Sequence, residues 1–298
     1  MSKPFLSIII VSYNTKKLTL ACLASIYRSL KNSSLNYEII VVDNNSQDGT
    51  INELKKFKKN QSNLKLIINE DNLGFAKANN LAVKEALGEY LLFLNSDIIV
   101  LNRAIEKLFN FYKQNYPSFN FLGGKLLNKD LSDQPSAAFF YTLPVIFLAL
   151  FLKGDYWGLT RFSPNKAKQV DWVSGACLLT NKNDFNKING FDENIFMYMD
   201  EVDLLYRAKK AGLITYYYPE AKFIHYGSAS SKGRTYPIIQ VFRGLLFFYR
   251  KHYSKTSLFI LKFMLKLKSI IAIRLGKITN NNYLVETYEK AYQMVKLA

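Results

Sequence analysis

Four apolar runs, each closed or broken by a polar cluster, constrain this chain more than any other feature. The first, residues 5–11 (FLSIIIV), ends in Ser12-Tyr13-Asn14. The second, residues 37–42 (YEIIVV), ends in a polar cluster from Asp43 to Thr50. The third is residues 64–69, and the fourth is 89–100 (EYLLFLNSDIIV), interrupted by Asn95-Ser96-Asp97. Unbroken β-branched and large apolar side chains mark strands buried on both faces. Helical spacing fills the gaps: Leu18, Cys22, Ile26 and Leu30 after the first run, a lysine-rich 51–59 after the second, and 76–87 after the third. Asp48 or Thr50 is placed to cap the lysine-rich helix. Four β–α alternations within a hundred residues predict an α/β fold, with a mostly parallel central sheet flanked by helices.

Open α/β sheets bind ligands at the carboxyl ends of their strands. Asp97 falls at such an end, with a plain turn aspartate as the alternative. Tyr13 is suited to stacking on a base, Asp43 to accepting from a base N–H or a ribose hydroxyl, and Lys77 to approaching a diphosphate. Each reads singly as a surface loop residue. Together, at successive strand ends, they point to a nucleotide crevice. The sequence has neither Gly-x-Gly-x-x-Gly nor a Walker loop, which disfavours a classical dinucleotide or P-loop site.

Residues 102–116 read as a helix and 121–127 as a strand. The stretch 137–152 (AAFFYTLPVIFLALFL) is strongly apolar but too short to span a bilayer, and Pro144 is expected to kink it. It reads equally as core or as an apolar lip meeting lipid. An aromatic and basic loop, 155–169, leads to a strand at 170–180 with Gly175 inside it, a mark of close approach by ligand or backbone. Asp200-Glu201-Val202-Asp203 then precedes a helix at 204–211, with Gly212 as its cap. A helix N-terminus accounts for two carboxylates; a third suits a general base with a raised pKa. A strand at 214–218, a turn at 219–221 and a short strand at 222–225 bring the chain to His225. It stands just before the glycine-serine segment 227–231, where a metal or phosphate role is credible.

The formal net charge is +17, and it is uneven. Residues 232–298 hold thirteen basic and two acidic side chains, against twenty-seven and twenty-one before them. The tail reads as helices at 236–253, 258–275 and 282–297. Lys262, Lys266, Lys268 and Arg274 interrupt the middle one, which favours an in-plane amphipathic helix over a spanning one. Charge interleaved with Phe, Leu and Ile suits an anionic membrane surface better than nucleic acid. The expected organisation is a catalytic domain at 1–231 and a basic amphipathic helical extension at 232–298. Cys22 and Cys177 lie in apolar runs and read as buried thiols, which suits a reducing compartment. The amino terminus lacks a signal-peptide pattern.

With these motifs in hand, the chain resembles the family-2 glycosyltransferases of the GT-A fold, particularly their rhamnosyltransferase-like branch. The resemblance rests on SIIIVSYN (Ser7–Asn14), VVDNNSQDGT (Val41–Thr50), NLGFAKANN (Asn72–Asn80), LNSD (Leu94–Asp97), VSGACLLT (Val173–Thr180) and GFDENIFMYMDEVDLLYRAKKAG (Gly190–Gly212). It covers roughly residues 5–253. It implies a nucleoside-diphosphate sugar donor, a divalent cation (Mg²⁺ or Mn²⁺) and inversion at the anomeric carbon. It assigns donor binding to Ser12, Tyr13, Asp43, Asn72, Gly74, Lys77, Asn95 and Ser96. Asp97 matches the last carboxylate of the family's Asp-x-Asp metal motif, with Asn95 in place of the first, and His225 matches a histidine that completes the metal site in some relatives. The base lies in an acidic pair usually read Glu-Asp and reversed here, so Glu201 is expected first and Asp200 second. Trp172, Gly175, Asp203 and Arg207 are expected around the acceptor.

Rhamnose on dTDP is the first expected donor and a UDP-hexose the alternative. The expected acceptor is a glycan or polyprenyl-diphosphate-linked sugar in bacterial surface polysaccharide synthesis. The expected location is cytoplasmic, peripheral on the inner membrane face. The rival class is a non-catalytic membrane-associated scaffold that kept the fold.

Overall fold

The computed structural model describes residues 4–227 and 235–298. In chain order the first elements are β1 (Leu6–Ser12), α1 (Lys16–Leu30), β2 (Tyr37–Asp43), α2 (Thr50–Lys58), β3 (Leu64–Ile68), α3 (Phe75–Glu85) and β4 (Tyr90–Asn95). β1 runs parallel to both β2 and β4, and β2 parallel to β3. The register sets Ser12 beside Asp43 and Val11 beside Asn95, so three strands end along one edge. Both faces of these strands are covered. Ile8, Ile10, Leu92 and Leu94 pack in one core with Cys22, Leu23 and Ile26. On the other face Phe93 meets Phe185 and Phe191, with ring centroids 5.2 Å apart in each case. Truncating a buried ring of this kind to alanine costs about 3–5 kcal/mol.

The chain continues through β5 (Ile98–Val100), α4 (Ala104–Asn115), β6 (Phe121–Leu127), β7 (Asp133–Gln134), β8 (Ala137–Ala138), α5 (Leu143–Phe151), β9 (Arg161–Phe162), β10 (Lys168–Val170), β11 (Trp172–Val173) and β12 (Cys177–Asn181). Then come α6 (Lys182–Lys187), α7 (Asp200–Lys210), β13 (Thr215–His225), α8 (Thr235–His252), α9 (Lys255–Ile278) and α10 (Asn282–Leu297). The large sheet has the order β10-β13-β6-β12-β4-β1-β2-β3, with β5 added to β13 and β7 to β6. Its first half is parallel. Its second half is mixed, because β12 runs antiparallel to both β4 and β6. A small sheet has the order β11-β8-β9.

Several expected elements differ in their details. The run 89–100 is two strands, not one. It turns at Ser96-Asp97, and Ile98–Val100 then leaves β4 to pair antiparallel with Phe223–His225. The expected strand 170–180 is three pieces shared between the two sheets, with the break around Gly175. The expected turn at 219–221 is a bulge within the single strand β13, whose register against β6 shifts between Tyr218 and Lys222. A proline has no ladder N–H to give, and Pro219 sits where that ladder breaks. Pro144 starts α5 rather than kinking it, since the first turn of a helix leaves N–H groups unpaired anyway. Helix α7 begins four residues before the expected 204, so all three carboxylates lie in its first turn. Cys22 and Cys177 are free and buried, and burial pushes both thiols up to about 12.

The chain divides into two compact units. The first holds the described residues of Met1–Phe139, Arg161–Phe196 and Asp200–Ser230. The second takes Phe140–Thr160, Met197–Met199 and the C-terminal helices. Within the second unit, Tyr249 donates its hydroxyl to the Tyr141 carbonyl at 2.8 Å. Lys268 Nζ donates to the Leu150 carbonyl at 2.7 Å. These bonds hold the 140–151 segment to α8 and α9. No helix among the described residues is long and apolar enough to cross a membrane.

Candidate active site

At the ends of β1 and β2 two loops clasp each other. Asn14 and Asn45 both adopt left-handed backbone, which asparagine tolerates better than most residues. The Asn14 N–H donates to Ser46 Oγ at 2.8 Å, and Asn14 Oδ1 accepts from the Gln47 N–H at 2.7 Å. Ser46 in turn donates its N–H and its hydroxyl to the two oxygens of Asp43, each at 2.8 Å. Asp43 is fully buried. Burial pushes its carboxyl up, and the Ser46 bonds pull it partly back. The buried Ser12 hydroxyl lies 3.0 Å from Thr19 Oγ1 in the first turns of α1 and also bonds the Asp43 carboxylate, which helps pull its pKa back.

A second loop closes over the same edge. Asn72 Oδ1 accepts from the Gly74 N–H at 3.0 Å and from Asn44 Nδ2 at 3.3 Å. Asn44 Nδ2 also donates to the Gly74 carbonyl at 3.1 Å. Gly74 has φ +80°, and a Cβ there would stand 2.5 Å from the Phe196 carbonyl oxygen. Only glycine fits both demands. Lys77 and Tyr13 sit beside these loops, Lys77 exposed and Tyr13 half-buried.

The LNSD turn holds the third group. Ser96 Oγ lies 3.1 Å from Thr15 Oγ1, which ties the turn to the end of β1. The pairing of Ile98 with His225 brings the histidine back to Asp97. His225 Nε2 is 3.4 Å from Asp97 Oδ1 and 3.3 Å from Asn95 Nδ2. His225 Nδ1 lies 2.7 Å from Gln134 Oε1. An imidazole nitrogen and a carboxylate oxygen converging in this way suit a divalent cation completed by phosphate and water oxygens. Among the described residues, no group of three His, Cys, Asp and Glu side chains stands ready to hold an ion.

The acidic turn follows two left-handed residues, Tyr198 and Met199. Asp200 and Asp203 are buried. Asp203 accepts from Arg207 Nε at 2.7 Å, while the Arg207 guanidinium donates to the carbonyls of Ile188 and Gly190. Together they brace the 188–190 turn against α7. Glu201 is half-buried and faces Gly175, where a Cβ would stand 3.4 Å from its own Cβ. Burial pushes the Glu201 carboxyl above its ordinary value. Backbone hydrogen bonds at Glu201, Gly175 and Val202, and the Arg161 charge, pull it partly back. The Asn95 N–H donates to the Ala176 carbonyl at 3.1 Å. That bond links the end of β4, and with it the Asp97–His225 pair, to the segment that faces Glu201.

Four contributors escaped the sequence reading: Asn44, Ser46, Gln134 and Arg161. Arg161 lay in what read as an aromatic and basic loop. In the small sheet, Arg161 and Trp172 both pair with Ala138, from opposite sides. The alanine is small enough for the guanidinium to reach over the indole, at 5.5 Å from its centroid. Trp172 is buried and donates Nε1–H to the Phe139 carbonyl at 2.8 Å. The polar cluster after β2 was itself the signal for Asn44 and Ser46. Nothing local in the sequence marked Gln134 or Arg161.

Residues 7–147 match the model of the family described as Glycosyl transferase family 2. The chain is 30% identical over 219 residues to the N-acetylglucosaminyl-diphospho-decaprenol L-rhamnosyltransferase of Mycobacterium tuberculosis, covering 66% of this chain and 68% of that one. It is 30% identical over 200 residues to rhamnosyltransferase WbbL of Escherichia coli K12, covering 64% and 73%. The chain belongs to glycosyl transferase family 2. It is a glycosyltransferase of the GT-A fold, related to bacterial rhamnosyltransferases. The solved structure of the mannosyltransferase PcManGT from Pyrobaculum calidifontis, in complex with GDP-Man and Mn²⁺, shares the fold. The TM-score is 0.58 at 14% identity, over 100% of this chain and 76% of that one.

Proposed function

We propose that this enzyme moves rhamnose from dTDP-rhamnose to a hydroxyl of a polyprenyl-diphosphate-linked sugar, with inversion, at the inner face of a bacterial membrane. The donor and acceptor follow the rhamnosyltransferases it resembles, one named for a decaprenol diphosphate acceptor. The observation that carries the chemistry is the bond from the Asn95 N–H to the Ala176 carbonyl, which joins the segments of two groups at the end of β4. One is a half-buried carboxylate, Glu201, with a raised pKa. The other is the Asp97–His225 pair.

In this reading the loops around Asp43, Asn72 and Gly74 hold the nucleoside, with Tyr13 against the base and Lys77 toward the diphosphate. Asp97 and His225 would hold Mg²⁺ or Mn²⁺, which supplies positive charge to the leaving diphosphate. Glu201 takes the proton from the acceptor hydroxyl as its oxygen bonds to the anomeric carbon. The bond from that carbon to the diphosphate oxygen breaks on the opposite face. A base with a raised pKa suits this transfer near neutral pH. Gly175 leaves the acceptor room beside Glu201. Asp203 and Arg207 contribute by holding the turn and α7 in place, and Trp172 by seating Arg161.

The membrane part of the proposal rests on α9. Phe259, Phe263, Leu267, Ile271, Leu275 and Ile278 recur at helical spacing and are exposed, from 38% at Leu267 to 80% at Ile278. Lys262, Lys266, Lys277 and Arg274 accompany them. An exposed apolar stripe with basic companions fits the interface of an anionic bilayer. The exposed Phe147 and Leu152, on and just after α5, and Trp157 extend the apolar surface of the same unit.

The test is a donor screen with Mg²⁺ or Mn²⁺ on the wild type, Asp97→Ala and Glu201→Gln. Metal-dependent turnover of dTDP-rhamnose, lost in Asp97→Ala, is the expected result. Glu201→Gln should bind donor and fail to transfer it. Turnover of a UDP-hexose instead would replace the donor, and absence of sugar-nucleotide binding would overturn the proposal.

A further inference from the structure

We infer that Gln134 is a positioning residue that holds His225 in the tautomer with its proton on Nδ1, so that Nε2 faces Asp97 with a free lone pair. The inference rests on the reading of Asp97 and His225 as cation ligands.

A chain of hydrogen-bond polarities that starts away from the site fixes this orientation. Asn128 follows β6, and its amide nitrogen donates to Ser132 Oγ at 2.9 Å and to the Asp133 carbonyl at 3.4 Å. A backbone carbonyl only accepts, so this contact orients the Asn128 amide and points its Oδ1 the other way. Gln134 Nε2 then donates to Asn128 Oδ1 at 3.0 Å and to the backbone carbonyl of His225 at 3.1 Å. With its nitrogen committed to two acceptors, Gln134 can present only Oε1 to the ring. That oxygen lies 2.7 Å from His225 Nδ1, so Nδ1 must be the donor. A neutral ring with a proton on Nδ1 leaves Nε2 bare.

Gln134 therefore grips His225 at two points, ring and backbone. The grip is built on a hairpin: β7 pairs with β6, with Leu126 opposite Gln134 and Leu127 opposite Asp133. Asp133 is itself tied to Lys125 Nζ at 2.7 Å. On the far side of the ring, Nε2 and Asp97 Oδ1 face each other at 3.4 Å. A cation between two such acceptors would relieve their repulsion, and Asn95 Nδ2 stands 3.3 Å from Nε2. Metal-binding histidines generally depend on a partner at the other ring nitrogen, and losing that partner typically weakens metal binding about 10–100-fold.

The test uses ¹⁵N-histidine-labelled protein and Mn²⁺ alone as the probe. The sequence has two histidines, so His225→Asn assigns the ring signals. At a pH where the ring is neutral, wild type should show a protonated Nδ1 and a bare Nε2 without any metal. Gln134→Leu should populate the other tautomer and weaken Mn²⁺ binding about 10–100-fold, read by electron paramagnetic resonance. Gln134→Glu keeps an acceptor for Nδ1–H and should keep the wild-type tautomer, which separates ring orientation from simple misfolding. An unchanged tautomer in Gln134→Leu, or a proton on Nε2 in wild type, would overturn the inference. If wild type and His225→Asn bind Mn²⁺ equally, the cation reading of the site fails, while the metal-free spectra still decide the role of Gln134.

Discussion

Gly175 backs onto Glu201: a Cβ built on the glycine would stand 3.4 Å from Glu201 Cβ and 3.8 Å from its carboxyl carbon. An alanine methyl fits there in ordinary contact. A leucine does not, and it would displace the carboxylate. Gly175→Ala should therefore keep most activity. Gly175→Leu should lose about 100-fold in kcat, the scale of a misplaced catalytic group, with its melting temperature little changed. Steady-state kinetics beside a thermal melt checks this.

The raised pKa of Glu201 sets the direction of two pH effects. As the base, Glu201 must be ionised, so the acid limb of the kcat profile should lie above the ordinary carboxylate value of 4.5. Arg161 lowers that pKa, so Arg161→Gln should move the limb to higher pH. A movement to lower pH would refute the assigned roles.

Stability carries the matching sign. The folded state binds the Glu201 proton more tightly than the unfolded chain does. The stability this contributes is fully present below the unfolded pKa and is lost as pH rises through the folded one. Above its folded-state pKa the ionised carboxylate is a burden on the fold. Glu201→Gln should gain in melting temperature over wild type as pH rises through that value, with the gap closing at acid pH, as differential scanning calorimetry would register.

Gly74 combines a left-handed backbone with a carbonyl 2.5 Å from where a Cβ would stand. The same Phe196 carbonyl accepts from the Phe75 N–H at 2.8 Å. Gly74→Ala must break that contact or shift the loop, at a cost of about 1–3 kcal/mol. Chemical denaturation should show the loss, and the donor KM should rise.

On α9, Phe263 and Leu267 lie one turn apart in the exposed stripe. The double change Phe263→Glu and Leu267→Glu removes apolar area and adds repulsion toward anionic lipid. Co-sedimentation with vesicles containing phosphatidylglycerol should fall at least tenfold, while circular dichroism stays the same. Wild-type binding should weaken as salt rises, because the basic companions act within a Debye length.

The amino-acid sequence alone determined the β–α alternation, the strand ends that carry Ser12, Asp43 and Asn95, the acidic turn at Asp200–Asp203 and the basic, apolar tail. These are local patterns, since side-chain periodicity within one segment reports which face is buried. Tertiary structure decided which of those ends meet. Asp97 reaches His225 only because the chain turns at Ser96 and Ile98–Val100 crosses to β13. Gly175 faces Glu201 only because the run 170–180 breaks between two sheets. Gln134 and Arg161 sit on strands of two residues, too short to carry any periodic signal. Their roles come from strand order and register, which no single segment encodes.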